Sequence, residues 1–130
     1  LGWKDYTTIC ASAPSEFLAQ AALEAAAELA ARNVGIVLEN LERAESFFER
    51  WPSVFRWNRP QAGPVALVGL RQGSACDFTS RLLAEQGVLL LPSTGLGYGD
   101  GHVRFGLGRD GFTAALEQLD RYLVGRPSTD

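Results

Sequence analysis

The stretch VALVGLRQGSACDFTSRLLAEQGVLLLPSTGLGYGDGHVRFGL, residues 65–107, decides the fold. Val65 to Leu70 is a short apolar run, the pattern of a buried strand. Ser74-Ala75-Cys76-Asp77 reads as a capping box that opens a helix through Gln86. Asp77 is shorter than the Glu favoured at that place. Gly87 stops the helix, because glycine adopts the left-handed backbone of a helix end without steric cost. Val88 to Leu91 reads as a second buried strand. Pro92 to Gly101 carries Gly, Pro or Ser at 92, 93, 95, 97, 99 and 101 and reads as a loop. His102 to Leu107 alternates in polarity and reads as a third strand.

Towards the N-terminus, Asn58 to Gly63 is a turn-rich connection. Before it lies a long helical region. Pro14, Ser15 and Glu16 suit a first helical turn, where a missing N–H costs nothing and a carboxylate meets the positive helix end. Phe17 to Arg32 is rich in the strong helix formers Ala, Leu and Glu. Asn33 and Gly35 predict a kink or restart, and the second half ends before Pro52. Residues 1–13 read as an extended or irregular opening segment. Towards the C-terminus, Phe112, Leu116, Leu119 and Leu123 form a helical stripe, with Asp110 as its expected cap. Arg126 to Asp130 reads as a loose polar tail. The order is helix, short strand, strand, helix, strand, strand, helix. It predicts an α+β domain of two layers: a short, mainly antiparallel sheet of three to four strands with helices packed on one face.

Composition narrows the function. The 130 residues fit one domain, and nearly half are apolar. With 12 basic and 15 acidic residues the net charge is -3, which disfavours non-specific nucleic-acid binding. Lys4 is the sole lysine, and His102 the sole histidine. Two distant cysteines, Cys10 and Cys76, with one histidine make a poor metal set, and idle thiols in a cytoplasmic chain are the expected reading. No run of 18 apolar residues suggests a membrane span. The start at Leu1 rather than Met reads as a truncation, so a preceding segment is expected.

Four motifs in order resemble one family. Lys4-Asp5-Tyr6-Thr7-Thr8 with Ser12-Ala13-Pro14-Ser15-Glu16 resembles the start of the small domain of class I/II aminotransferases, enzymes that use pyridoxal 5'-phosphate (PLP) in fold type I. Trp57-Asn58-Arg59-Pro60-Gln61-Ala62-Gly63 resembles that family's W-x-x-P-x-A-G turn. Gly87-Val88 to Leu91-Pro92-Ser93 resembles its G-V-x-x-x-P-G segment, with Ser93 where glycine is usual. Gly101-His102-Val103-Arg104-Phe105-Gly106 resembles its V-R-hydrophobic-small strand. Together the motifs cover almost the whole chain. The resemblance implies that residues 1–130 are the C-terminal small domain. The large domain, which supplies the Schiff-base lysine, the aspartate on the pyridine nitrogen and most phosphate ligands, would be absent. It further implies a homodimeric parent that transfers an amino group between an amino acid and a 2-oxo acid. The 130-residue chain alone would then be inactive and hold no PLP. A PLP lyase or cyclising enzyme, or a non-catalytic binding or assembly module, is the alternative.

The resemblance assigns Arg104 to the substrate α-carboxylate, a role that suits a guanidinium fork. The rival reading is a structural ion pair at a sheet edge. Lys4 does not match the family's lysine, so no catalytic residue is expected here. Tyr98, in the loop near the substrate entrance, and Ser12 are candidates to line the site. Surface position and helix capping explain them equally well. The loop lacks the Gly-Lys-Ser/Thr ending of a phosphate-binding P-loop. His102 is expected on the strand face opposite Arg104. Trp51, Phe55 and Trp57 are expected in the core. A single histidine leaves no plausible base for a cysteine nucleophile.

Overall fold

A computed structural model describes residues 2–7 and 10–126, with only the backbone of Lys4, Asp5 and Tyr6. The polar tail beyond Arg126 lies outside the described residues. The chain divides into two compact units, residues 1–34 and 35–130.

The first unit holds helices α1 (Gly2–Thr7) and α2 (Ala13–Glu24) and the first turns of α3 (Ala26–Arg50). Part of the opening segment is therefore helical rather than extended. The Thr7 hydroxyl donates to the Trp3 carbonyl one turn back, at 3.0 Å, which supports this short helix. Pro14 sits in the first turn of α2, as its fixed backbone favours. The expected restart at Asn33 and Gly35 does not occur: α3 runs through both. The break falls instead at Ala25, with φ -92° and ψ 9°. Hydrogen bonds from Ala25 N–H to Ala21 and from Leu29 N–H to Ala25 continue across it. Nothing in the side chains explains a bend at an alanine.

The second unit carries the sheet. Strands β1 (Phe55–Arg56), β2 (Val65–Leu70), β3 (Leu91–Pro92) and β4 (His102–Gly106) lie in the order β1-β2-β4-β3, every pair antiparallel. Helices α4 (Ala75–Gln86) and α5 (Phe112–Val124) complete the α+β fold. Alternation along the strands sorts the faces. Ala66, Val68, Leu70, Val103 and Phe105 are buried against helix residues such as Phe47, Leu82 and Leu119. Val65, Leu67, Arg104 and Gly106 point the other way and are exposed. Phe48 sits at the centre of the core. Its ring meets Phe47, Phe55, Phe105 and a stacked Trp57 at 4.4 to 5.3 Å between centroids. Phe55 is buried, while Trp51 and Trp57 are partly buried against the core, as expected.

Two expected boundaries change. Val88 to Leu90 is not a strand: pairing begins at Leu91, and Leu89 is 76% exposed. A continuous apolar run promises burial, but here the backbone turns Leu89 outwards. Asp110 does not cap α5; Gly111 occupies the cap position without a side-chain bond.

Three hydrogen-bonding groups pin the loops. Asn40, buried in α3, donates to the carbonyls of Leu107 and Arg109 at 2.8 and 2.9 Å, fixing the chain after β4. Such bonds satisfy groups that would otherwise cost about 1–3 kcal/mol each on burial. Ser74 caps α4 by accepting from the Asp77 N–H at 3.1 Å. Asp100 adds a second cap from the loop. Its carboxylate accepts from the Cys76 N–H at 2.9 Å, and its carbonyl accepts from the Ala75 N–H at 3.0 Å. The Ser74 hydroxyl first, then the Cys76 N–H, holds the Asp100 carboxyl below the usual 3.8. A depressed carboxyl stabilises the fold above its unfolded value and loses that contribution as pH falls through the folded value. Asp100→Asn therefore lowers the melting temperature at pH 7. The gap to the native chain narrows as pH drops below 3.8, which thermal melts across pH will read.

Candidate functional site

The exposed sheet face is where reactive side chains gather. The register sets them in rows: Arg56, Gly69 and His102 in one, Leu67, Arg104 and Leu91 in the next, and Val65 with Gly106 in a third. Arg104 stands mid-face, between two leucines. It is exposed and has no ion-pair or hydrogen-bond partner among the described side chains. The structural ion pair that rivalled a ligand-binding role is thus not formed. By contrast Arg50 pairs with Asp120, Arg59 with Glu45 and Arg126 with Glu85. Arg104 also reaches the rim of an open cleft of about 980 Å³ running from Gly87–Leu91 to the start of α5.

His102 is two residues from Arg104 and shares its face, contrary to the expectation of opposite faces. Strand side chains repeat every second residue, so i and i+2 lie together. The half-buried His102 ring meets Tyr98 edge to face, 5.2 Å between centroids. Tyr98, 60% exposed, therefore joins the site through His102. Ser12, in the first unit, is the exposed N-cap residue of α2, and its side chain makes no capping bond. Cys10 and Cys76 are free thiols, and no cluster of metal ligands occurs among the described residues.

The loop that carries Tyr98 is braced. A 3-10 turn, Ser93–Leu96, begins it. Ser93 is fully buried. Its hydroxyl donates to the Gly99 carbonyl at 2.8 Å and accepts from the His102 N–H at 3.1 Å. Leu70 N–H bonds to the Gly101 carbonyl at 2.8 Å, and Cys76 Sγ lies 3.0 Å from Thr94 Oγ1. Sequence reasoning missed Ser93, Asp100 and Asn40. The signal for Ser93 was its replacement of glycine; for Asn40 it was a polar residue within an apolar helical stripe.

The described residues do not fit PLP by themselves. The cofactor needs a lysine amine and a cradle of free N–H groups. No described side chain is a lysine; that of Lys4 lies outside the description. In the loop, the Gly97 and Tyr98 N–H groups bond back to Thr94 and Ser93. At α4, the first N–H groups already serve Asp100. What remains available is an unpaired guanidinium on an open, partly apolar face.

Searches found no matching family model and no matching curated protein. Solved structures do match. A PLP-dependent aminotransferase from Streptococcus suis shares 31% identity at a TM-score of 0.85, over 99% of this chain and 35% of that one. The PLP-dependent cyclase OrfR shares 28% at 0.87, over 97% and 35%. The chain is a C-terminal small domain of the fold-type I PLP-dependent enzymes. An aspartate aminotransferase from Thermotoga maritima, 21% identical over 72% of this chain and 24% of that one, shares the fold at a TM-score of 0.62. The small domain thus spans about a third of the length of the first two structures. Among its described residues no helix is long and apolar enough to cross a membrane.

The brace predicts a measurable coupling. Ser93→Ala leaves the Gly99 carbonyl and the His102 N–H without their shared partner, a loss of about 1–3 kcal/mol in stability. Amide hydrogen exchange at His102 quickens in that variant, while exchange in the middle of α5 follows only the global loss.

Proposed function

We propose that this small domain serves a PLP-dependent aminotransferase that moves an amino group between an amino acid and a 2-oxo acid. The carrying observation is Arg104: unpaired, exposed and set between apolar neighbours on the bare sheet face. Two parallel hydrogen bonds from its guanidinium hold the substrate α-carboxylate and fix its orientation as well as its charge. Leu67 and Leu91 flank the bound carboxylate and keep water from its sides. Tyr98 and His102 border the same edge. PLP supplies the electron sink for bond cleavage at the substrate's α-carbon. The lysine and phosphate ligands that hold it belong to a large domain outside these 130 residues, in a parent that forms a homodimer in the cytoplasm.

A cyclising reaction is the second reading, favoured by the likeness to a PLP-dependent cyclase over nearly the whole chain. Both readings use Arg104 in the same way. They differ in groups that this chain does not carry.

Two measurements test the proposal. Arg104→Ala weakens pyruvate binding to the chain by about tenfold or more, as loss of a charge-assisted pair requires. Unchanged affinity by titration calorimetry would remove Arg104 from its role. Incubation of the chain with PLP, followed by borohydride reduction, gives no stoichiometric adduct by intact mass. A specific adduct on Lys4, or amino transfer by the chain with added PLP, would sink the reading of the chain as a non-catalytic third of the enzyme.

A further inference from the structure

Asp-Gly occurs twice in the chain, at Asp100-Gly101 and at Asp110-Gly111. An aspartate followed by glycine is open to attack by its own backbone. The side-chain carboxyl and the next amide nitrogen are held at high effective concentration, and glycine has no Cβ to block the approach. Both aspartates are exposed, and neither glycine N–H donates to a described group. The carboxylates are what differ. That of Asp100 accepts from the Cys76 N–H at 2.9 Å and from the Ser74 hydroxyl. The carbonyls of Asp100 and Gly101 are held as well, by the Ala75 and Leu70 N–H groups at 3.0 and 2.8 Å. Turning the Asp100 carboxyl onto the Gly101 nitrogen breaks its charge-assisted bonds. The Asp110 carboxylate has no hydrogen bond or ion pair among the described residues, and is free to turn. Its place in the fold is a sensitive one. The Arg109 carbonyl accepts from Asn40 at 2.9 Å and from the Phe112 N–H at 3.2 Å. That turn closes over Asp110 and Gly111 and seats the buried Phe112 at the start of α5.

We propose that Asp110 is a site of spontaneous isomerisation to isoaspartate in the folded chain, and that the cap on α4 protects Asp100 from the same reaction. The Gly111 nitrogen bonds to the carboxyl carbon of protonated Asp110. The carboxyl hydroxyl leaves as water with the nitrogen's proton, and a cyclic succinimide remains. Water then opens the ring. Attack at the side-chain carbonyl restores aspartate; attack at the main-chain carbonyl gives isoaspartate. One water is released and one is consumed, and no oxidant or cofactor takes part. At Asp100 the capping bonds oppose both requirements. They hold the carboxyl away from the nitrogen, and they keep it ionised, so that it does not lose its oxygen as water. Isomerisation at Asp110 adds a methylene to the main chain between Arg109 and Gly111. The turn from the Arg109 carbonyl to the Phe112 N–H then spans one atom too many, and the first turn of α5 loosens. Asp110, Gly111 and Phe112 line the cleft that Arg104 reaches, so the change falls on its wall.

The test ages the folded 130-residue chain at mildly acidic pH, well below its melting temperature, and quantifies isoaspartate at each site by peptide mapping with electron-transfer fragmentation. Isoaspartate gathers at Asp110 about tenfold or more faster than at Asp100, the factor that one bond to a charged group supplies. In the chain unfolded by urea the two rates become alike, because the sequence is the same Asp-Gly and only the fold separates them. Asp110→Glu stops the reaction at that site, since the longer side chain no longer closes the favoured ring. Gly111→Ala slows it and keeps the fold: φ is -78° there, and an added Cβ meets nothing within 4 Å. Ser74→Ala, which removes one bond from the Asp100 carboxylate, raises the rate at Asp100 and leaves that at Asp110 unchanged. Amide exchange at Phe112 quickens as the native chain ages and holds steady in aged Gly111→Ala. The proposal is overturned if the folded chain isomerises at both sites alike, or at Asp100 first, or if Asp110 isomerises only after unfolding. Exchange at Phe112 that stays the same in the isomerised chain overturns the effect on α5.

Discussion

The second unit depends on one ring. Phe48 projects from the second half of α3 and touches aromatic groups from its own helix, from β1, from β4 and from the turn after β1. Each such pair adds about 0.5–1.5 kcal/mol beyond the area buried, and edge-to-face geometry sets ring angles as well as distances. Phe55 passes the contact to Phe78 on α4, and Phe78 passes it to Tyr122 on α5. One aromatic chain therefore joins all three helices of the unit to one side of the sheet. It occupies only that side. The face it leaves uncovered is the face with Arg104.

This one-sidedness links packing to chemistry. Along β4 the residues Val103 and Phe105 belong to the core, and His102, Arg104 and Gly106 do not. A single strand thus anchors itself with one set of side chains and presents another. The position of Arg104 is fixed by a wholly apolar grip on its two neighbours. Ser93 sets the start of the same strand, and Asn40 sets its end. Between these two polar clamps the strand has little freedom to slide, and a slip of one residue would turn the arginine into the core.

Much of this was legible in the chain, for reasons that differ by element. β2 and β4 are visible because their apolar patterns are dense and bounded by turn residues. α4 is visible because both its ends carry cap chemistry, Ser74 at the start and Gly87 in the left-handed conformation at the stop. Arg104 was reachable through the motif around it. Val88 to Leu90 misled because an unbroken apolar run cannot show which residue faces outwards. The bend at Ala25 left no mark, since alanine is the best helix former. The place of Arg56 on the open face, against Gly69, was not legible: only strand pairing reveals it. Asn40, Ser93 and Asp100 act through partners that are 67, 9 and 24 residues away in the sequence, and local pattern carries no trace of such bonds.

The sheet's outer strands have a further meaning. A bare sheet face with apolar side chains invites other chains to add at its borders. Here both border strands, β1 and β3, are two residues long, and β3 ends on Pro92, which has no N–H to offer. Strand addition needs a row of free donors and acceptors, and neither of these two strands provides one of useful length. The domain can therefore keep an open face while its two outer strands offer little template for fibril growth. Lengthening β3 by replacing its proline would reopen that route, so solubility and recognition are kept by different parts of the same sheet.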